Sequence, residues 1–126
     1  MRNETRSLTR LLSLLGLASS FGFAATWSGN LVDANCFQSM EDNHNVSDSP
    51  ALRDVGLEVR VCSPKPKTHV FAIVLSDGTN VRLDATGNAR AADLARRASR
   101  KAPLYVTVNG AMTKKAIAVN SVTLAQ

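Results

Sequence analysis

Beyond its first two dozen residues the chain is organised by short alternating runs and one stretch of helical period. In Thr26–Ala34, Trp27, Gly29 and Leu31 share one side of an extended segment, which predicts a strand. A glycine within such a pattern marks a bend or bulge where a sheet curls. Val70-Phe-Ala-Ile-Val-Leu75 has no polar break and predicts a strand buried on both faces. Ser76-Asp-Gly-Thr79 then reads as a hairpin turn, because Asp-Gly accepts positive φ. Asn80–Asp84 alternates again, with Val81 and Leu83 inward and Arg82 outward. Here the period changes. Ala91, Leu94, Ala95 and Ala98 fall at i, i+3, i+4 and i+7, one apolar stripe of a helix that Gly87-Asn88 opens, with Asn88 as cap, and Pro103 stops. Asp93 lies four residues before Arg97 on its solvent side. Leu104, Val106 and Val108 then face one way, Tyr105 and Thr107 the other. In the last run Ile117 and Val119 are in phase, while Val122 and Leu124 are in the opposite phase. That slip predicts a bulge at Asn120-Ser121, since otherwise half the apolar residues would face water.

Between the first two strands lies a long connection, 35–68, polar at first and then compatible with one short helix. Ser49 would cap that helix, Pro50 suits its first position, and Gly56 would end it. Ser63-Pro-Lys-Pro-Lys67 is stiff and extended, because proline fixes its own φ and restricts its neighbour. Strand, long connection, strand, strand, helix, strand, strand is the element order of a small five-stranded OB-like barrel, a mainly β fold with one helix. The alternative is an α+β open sheet with one packed helix.

The N-terminus changes the compartment. Arg2, Arg6 and Arg10 precede the short apolar run Leu11–Ala18, and Gly22 and Ala24 supply small residues. This order predicts a secretory signal peptide over 1–24, leaving 25–126 as one domain. The competing reading is a buried N-terminal helix, but nothing polar lines a face of that segment. No cysteine follows the cleavage site to carry a lipid. Without Arg2, Arg6, Arg10 and Glu4, the chain's 15 basic and 10 acidic residues become 12 and 9, so the net charge falls from +5 to +3. That balance is ordinary solubility and gives no footprint for nucleic acid. Arg96, Arg97, Arg100 and Lys101 are explained by the negative end of the helix dipole.

Export also bears on the two cysteines. An even number in an exported chain reads as a disulfide, and Cys36–Cys62 is the sole internal pairing. The competing reading is a nucleophilic or redox thiol, with His44 or His69 as base. The pair is not Cys-x-x-Cys, and neither histidine sits in a recognisable signature. Glu41-Asp-Asn-His44 and Asp48 offer metal ligands, but the spacing matches no paired-ligand pattern, and a polar loop rich in Asp and Asn is usually solvated. Nothing calls for a cofactor.

Four short motifs carry a resemblance. "TWSGNLVDANC", the later Cys62, "FAIVLSDGTNVRLDATGNARA" and "VTVNG" occur in the order found in a family of small exported bacterial OB-like domains of uncharacterised function. Those domains open Trp-x-Gly-x-(Leu/Ile)-x-Asp-x-x-Cys and later carry Asp-Gly-x-x-(Tyr/Val)-x-Leu-Asp-x-x-Gly-Asn. The resemblance implies export to the periplasm or beyond the cell, a small barrel and a disulfide, and it brings no catalytic residues. This chain departs in a longer stretch between the cysteines and in Val81, where tyrosine is common.

Three functions follow as expectations. The first is a non-enzymatic binding module, whose ligand face by the fold's habit would use Asn80, Arg82, Lys114, Lys115 and the 35–68 loop. Those cations suit an anionic partner: an acidic saccharide, a phosphate or an acidic protein surface. Single-stranded nucleic acid is a weaker form of the idea, because Tyr105 alone offers an outward ring for stacking. The second is a structural or assembly protein of the cell envelope, pairing through strand edges. The third is a thiol-dependent enzyme, which a disulfide would preclude.

Overall fold

The alternating runs become a single antiparallel sheet. The structure, a computed structural model, describes residues 24–43, 54–98 and 103–125. Its strands are β1 (Ala25–Asp33), β2 (Phe71–Val74), β3 (Asn80–Arg82), β4 (Leu104–Met112) and β5 (Ile117–Leu124). They lie in the order β3-β2-β1-β4-β5. Among the described residues there are three helices: α1 (Ala34–Asp42), α2 (Val55–Val61) and α3 (Ala85–Arg97). The fold is mainly β as expected, but it carries more helix than the barrel or the open sheet with one packed helix called for. The sheet is not closed: beyond the end of edge strand β3, Leu83 makes a single isolated parallel bridge to Ile117, at the start of β5.

The sheet is buried in two places by different partners. On one face, Leu31, Ile73, Val106, Val108 and Ile117 pack with Leu94 and Ala91 of α3. On the other, Val32, Ala72 and Val74 are covered by Phe37 of α1, Val59 of α2 and Cys62. Residues of this size stabilise by about 1.5–3 kcal/mol each when fully buried. The two coverings explain why all four positions of β2 are buried. At Gly29 the pairing runs on without a bulge, Ser28 to Thr107 and Gly29 to Val106. β1 pairs with β4 over Ala25–Leu31 and with β2 over Asn30–Asp33. The second expected bulge is present: Asn109 faces Ser121 but Gly110 faces Val119, so Asn120 is the extra residue.

Most of the departure lies in the long connection. Its first part is α1, not irregular chain, because Asp33 ends the strand and caps the helix. The Asp33 carboxylate accepts from the Asn35 and Cys36 N–H groups at 3.0 and 3.1 Å. Ala34, Phe37 and Met40 then supply a buried or half-buried side at helical spacing. The polar residues between them hide that stripe in the sequence. Ser49 and Pro50 lie outside the described residues, and Gly56 does not end a helix. It sits in the first turn of α2, where Asp54 is the cap and accepts from Leu57 N–H at 2.9 Å. Cys36 and Cys62 are disulfide-bonded with their Cα atoms 5.5 Å apart, tying α1 to the end of α2.

The third helix also begins earlier than expected. Its cap is Asp84, not Asn88, and Asp84-Ala-Thr-Gly87 is its first turn. Asp84 Oδ1 accepts from Gly87 N–H at 2.8 Å and from Val119 N–H at 3.2 Å, so one carboxylate starts α3 and pins it to β5. Asn88 uses its side-chain carbonyl elsewhere, accepting from Phe71 N–H at 2.9 Å. A Cβ at Gly87 would lie 2.5 Å from Val119 Cγ2 and 2.8 Å from Leu83 Cβ, so only glycine lets the helix approach this closely. At the other end α3 stops at Arg97, with Ala98 as C-cap, before Pro103 is reached. The Asp93–Arg97 pair forms at 3.0 Å on the exposed side. The β2–β3 hairpin turns at Gly78, with φ +87°. There the Thr79 hydroxyl, and secondarily its N–H, donate to Asp77 and hold that carboxyl below its usual range.

Candidate functional site

A cleft of about 250 Å³ lies between the segment after the disulfide and the flank of α3. One wall is Pro64, Lys65, Pro66, Thr68 and His69. Phe71, at the start of β2, contributes to its lining, and Ala92, Ala95 and Arg96 form the opposite wall. The helix wall follows from spacing. Ala92, Ala95 and Arg96 are one i, i+3, i+4 set beside the stripe that enters the core, and two methyl side chains leave room that larger residues would fill.

The opposite wall is held from both ends. At its start, Cys62 is fixed by the disulfide, and its carbonyl accepts from Asp33 N–H at 2.8 Å. Ser63 Oγ donates to Val59 carbonyl at 3.0 Å. In the middle, Thr68 N–H donates to Lys65 carbonyl at 2.9 Å, closing a turn around Pro66. Thr68 Oγ1 accepts from Lys65 N–H at 3.0 Å and donates to Asp33 Oδ2 at 2.9 Å. At its end, Val70 carbonyl accepts from Ala34 N–H, and Phe71 N–H reaches Asn88. Asp33 therefore caps α1 with one oxygen and anchors the cleft wall with the other. Two prolines further limit the states available to this wall, so little ordering remains to oppose binding.

The cleft is apolar inside and cationic outside. Pro64, Pro66, Phe71, Ala92 and Ala95 offer carbon, and the buried Thr68 hydroxyl is already committed. Lys65, His69 and Arg96 are exposed and come from two separate segments of the chain. Arg96 contacts Asp93 at 3.4 Å, but that carboxylate is held more closely by Arg97.

Asn80, Arg82, Lys114 and Lys115 lie elsewhere, and none of them lines the cleft. Asn80 and Arg82 are half-buried on β3, opposite Val74 and Ala72. Lys114 and Lys115 are exposed in the β4–β5 turn, which Thr113 closes through both its backbone and its hydroxyl to Ala116. The Leu83–Ile117 bridge draws the end of β3 toward the start of β5, so both pairs flank one edge junction. Sequence reasoning saw the stiffness of Ser63–Lys67 but did not set it against Ala92, Ala95 and Arg96. The usable signal was a pair of alanines flanking the core stripe of a helix with an arginine one turn on.

Both cysteines are in the disulfide, and among the described residues none is free. Also among the described residues, no three His, Cys, Asp or Glu side chains gather as a metal site. His44 and Asp48 lie outside them. No described helix is long and apolar enough to cross a membrane. Compared with known proteins, the chain matches no family model, no curated protein and no solved structure.

Proposed function

We propose that this is an exported, non-enzymatic binding module built as a small OB-like barrel, and that it holds a small anionic ligand in the cleft between residues 64–71 and α3. The observation that carries this reading is the meeting of Lys65, His69 and Arg96 around an apolar interior whose wall is braced by a disulfide. The barrel reading is supported by the strand order and by the isolated parallel bridge Leu83–Ile117, which lies just past the third strand and brings its end toward the fifth. Export rests on the N-terminal segment and agrees with a disulfide, which persists in oxidising compartments. An enzyme using Cys36 or Cys62 would need a free thiol, and the bridge consumes both.

The site proposed here differs from the face formed by Asn80, Arg82, Lys114 and Lys115. Amide shift mapping with small anions separates them. Shifts are expected at Lys65–Phe71 and Ala92–Arg96, weakened by Lys65→Ala with Arg96→Ala and unaffected by alanine at Arg82, Lys114 and Lys115. Shifts confined to 80–82 and 114–115 would move the site, and no shifts at either place would remove it.

A second reading, an assembly protein of the cell envelope, is favoured by one observation. Leu57 and Val61 stand one turn apart on α2, each about half exposed. Sedimentation velocity tests it: concentration-dependent association lost in Leu57→Ser with Val61→Ser would support assembly, and a monomer throughout would dismiss self-assembly.

A further inference from the structure

Resting on that reading, we infer that the ligand class is a small monocarboxylate with a flat or short apolar tail, an aryl or short acyl carboxylate, rather than a phosphate, a polyanion or a saccharide.

Three features of the cleft select this chemistry. The first is that the buried polar groups of its walls are already hydrogen-bonded. Thr68 spends its one proton on Asp33 and accepts from Lys65 N–H. Thr68 N–H is taken by Lys65 carbonyl, and Phe71 N–H by Asn88. A saccharide needs several such groups to replace its water, and the inner surfaces of Pro64, Pro66, Phe71, Ala92 and Ala95 offer it carbon. An apolar tail loses nothing there.

The second feature is the direction of α3. Phosphate is favoured at helix N-termini, where free N–H groups and the positive end of the dipole converge. Here the cleft meets Ala92, Ala95 and Arg96, in the C-terminal half of the helix, where the backbone field is negative. The N-terminal end already holds the Asp84 carboxylate. With Asp93 also beside Arg96, each further negative charge is opposed, so one charge reaching Lys65, His69 and Arg96 at the rim is the better match. A carboxylate satisfies the planar donor pair of an arginine with its two oxygens.

The third is size. The cleft, at about 250 Å³, falls below the roughly 300–1,000 Å³ typical of pockets for drug-sized ligands. That leaves room for one ring or a short chain beneath the headgroup.

The test is amide shift titration of the oxidised protein with benzoate, hexanoate, inorganic phosphate and benzyl alcohol. Saturable shifts at Lys65–Phe71 and Ala92–Arg96 are expected with benzoate and hexanoate, with affinity at least roughly tenfold weaker for phosphate and for the alcohol. Arg96→Gln should weaken benzoate by roughly tenfold. Ala92→Leu should abolish its binding while shifts elsewhere in the spectrum show the fold intact. Phosphate binding in the cleft as tightly as benzoate would overturn the carboxylate inference and leave the anion-binding reading standing. Benzyl alcohol binding as tightly as benzoate, or no probe shifting these amides, would overturn both.

Discussion

Opening the Cys36–Cys62 bridge should lower the thermal midpoint by roughly 14–28 °C. The bonded residues are 26 apart in sequence, so the bridge closes a loop of about 27 residues in the unfolded chain. The loop-closure entropy removed from the unfolded chain corresponds to about 3.5 kcal/mol. A domain of this size is stable by about 5–15 kcal/mol in total, so the bridge supplies a large share. Each kcal/mol moves the midpoint of such a domain by about 4–8 °C, which gives the stated range. The Cα separation of 5.5 Å is ordinary for a bridged pair, so relief of backbone strain should not offset the loss. Cys62 is buried with Val32, Phe37 and Ala72, and Met40 Sδ lies 3.6 Å from its sulfur. Replacing the cysteine would therefore add a packing loss to the entropic one. Wild type should accordingly be compared with and without a phosphine reductant, with Cys36→Ala/Cys62→Ala as the second arm. Thermal unfolding followed by far-UV circular dichroism reads the shift. A fall of less than about 5 °C in both arms would refute the reasoning, because the loop would then be constrained without the bond.

Three further changes probe the joints around α3 and the hairpin. Gly87→Ala places a methyl group against Val119 and Leu83, so urea denaturation should show a loss of about 1–3 kcal/mol. Asp84→Ala removes the helix cap and the acceptor for Val119 N–H together and should cost about 2–4 kcal/mol, whereas Asp84→Asn keeps an accepting oxygen and should cost less than half as much. Asp77 is held below the ordinary carboxylate range by the Thr79 hydroxyl and N–H, so its contribution is present above that range and is lost as pH falls through the lower folded value. Thr79→Ala should raise the Asp77 titration midpoint in a carboxyl carbon NMR titration, and an unchanged midpoint would contradict the assignment.

Most strands were legible from a period of two, and β2 from an unbroken apolar run. Val70–Leu75 read as doubly buried, and its central four residues, Phe71–Val74, are, though the helices that cover the second face were not foreseen. The bulge at Asn120 was legible for a different reason. A change of phase between Val119 and Val122 cannot be accommodated in a half-buried strand without an extra residue. The helix starts were not legible. Asp33 and Asp84 each look like the end of a strand or part of a turn, yet each caps a helix while its carboxylate also contacts a neighbouring element. Asn88, an excellent cap by type, is drawn away by Phe71 N–H. The cleft was the least visible feature, since Lys65 and Arg96 are far apart in sequence and only packing of α3 against the start of β2 brings their segments together. Sequence reasoning chose Arg82 on a strand and Lys114 and Lys115 in a turn by analogy with a fold, whereas the cleft depends on two alanines whose importance is the space they leave.

The most direct test of the central claim, a small anion held in the cleft of an exported protein, is native mass spectrometry of the chain purified from its exported fraction without reductant. The expected spectrum shows a chain cleaved near Ala24, two hydrogens lighter than its free-thiol form, with a small adduct that disappears in Lys65→Ala with Arg96→Ala. An adduct that survives those substitutions, or a chain that carries none and retains its first 24 residues, would contradict it.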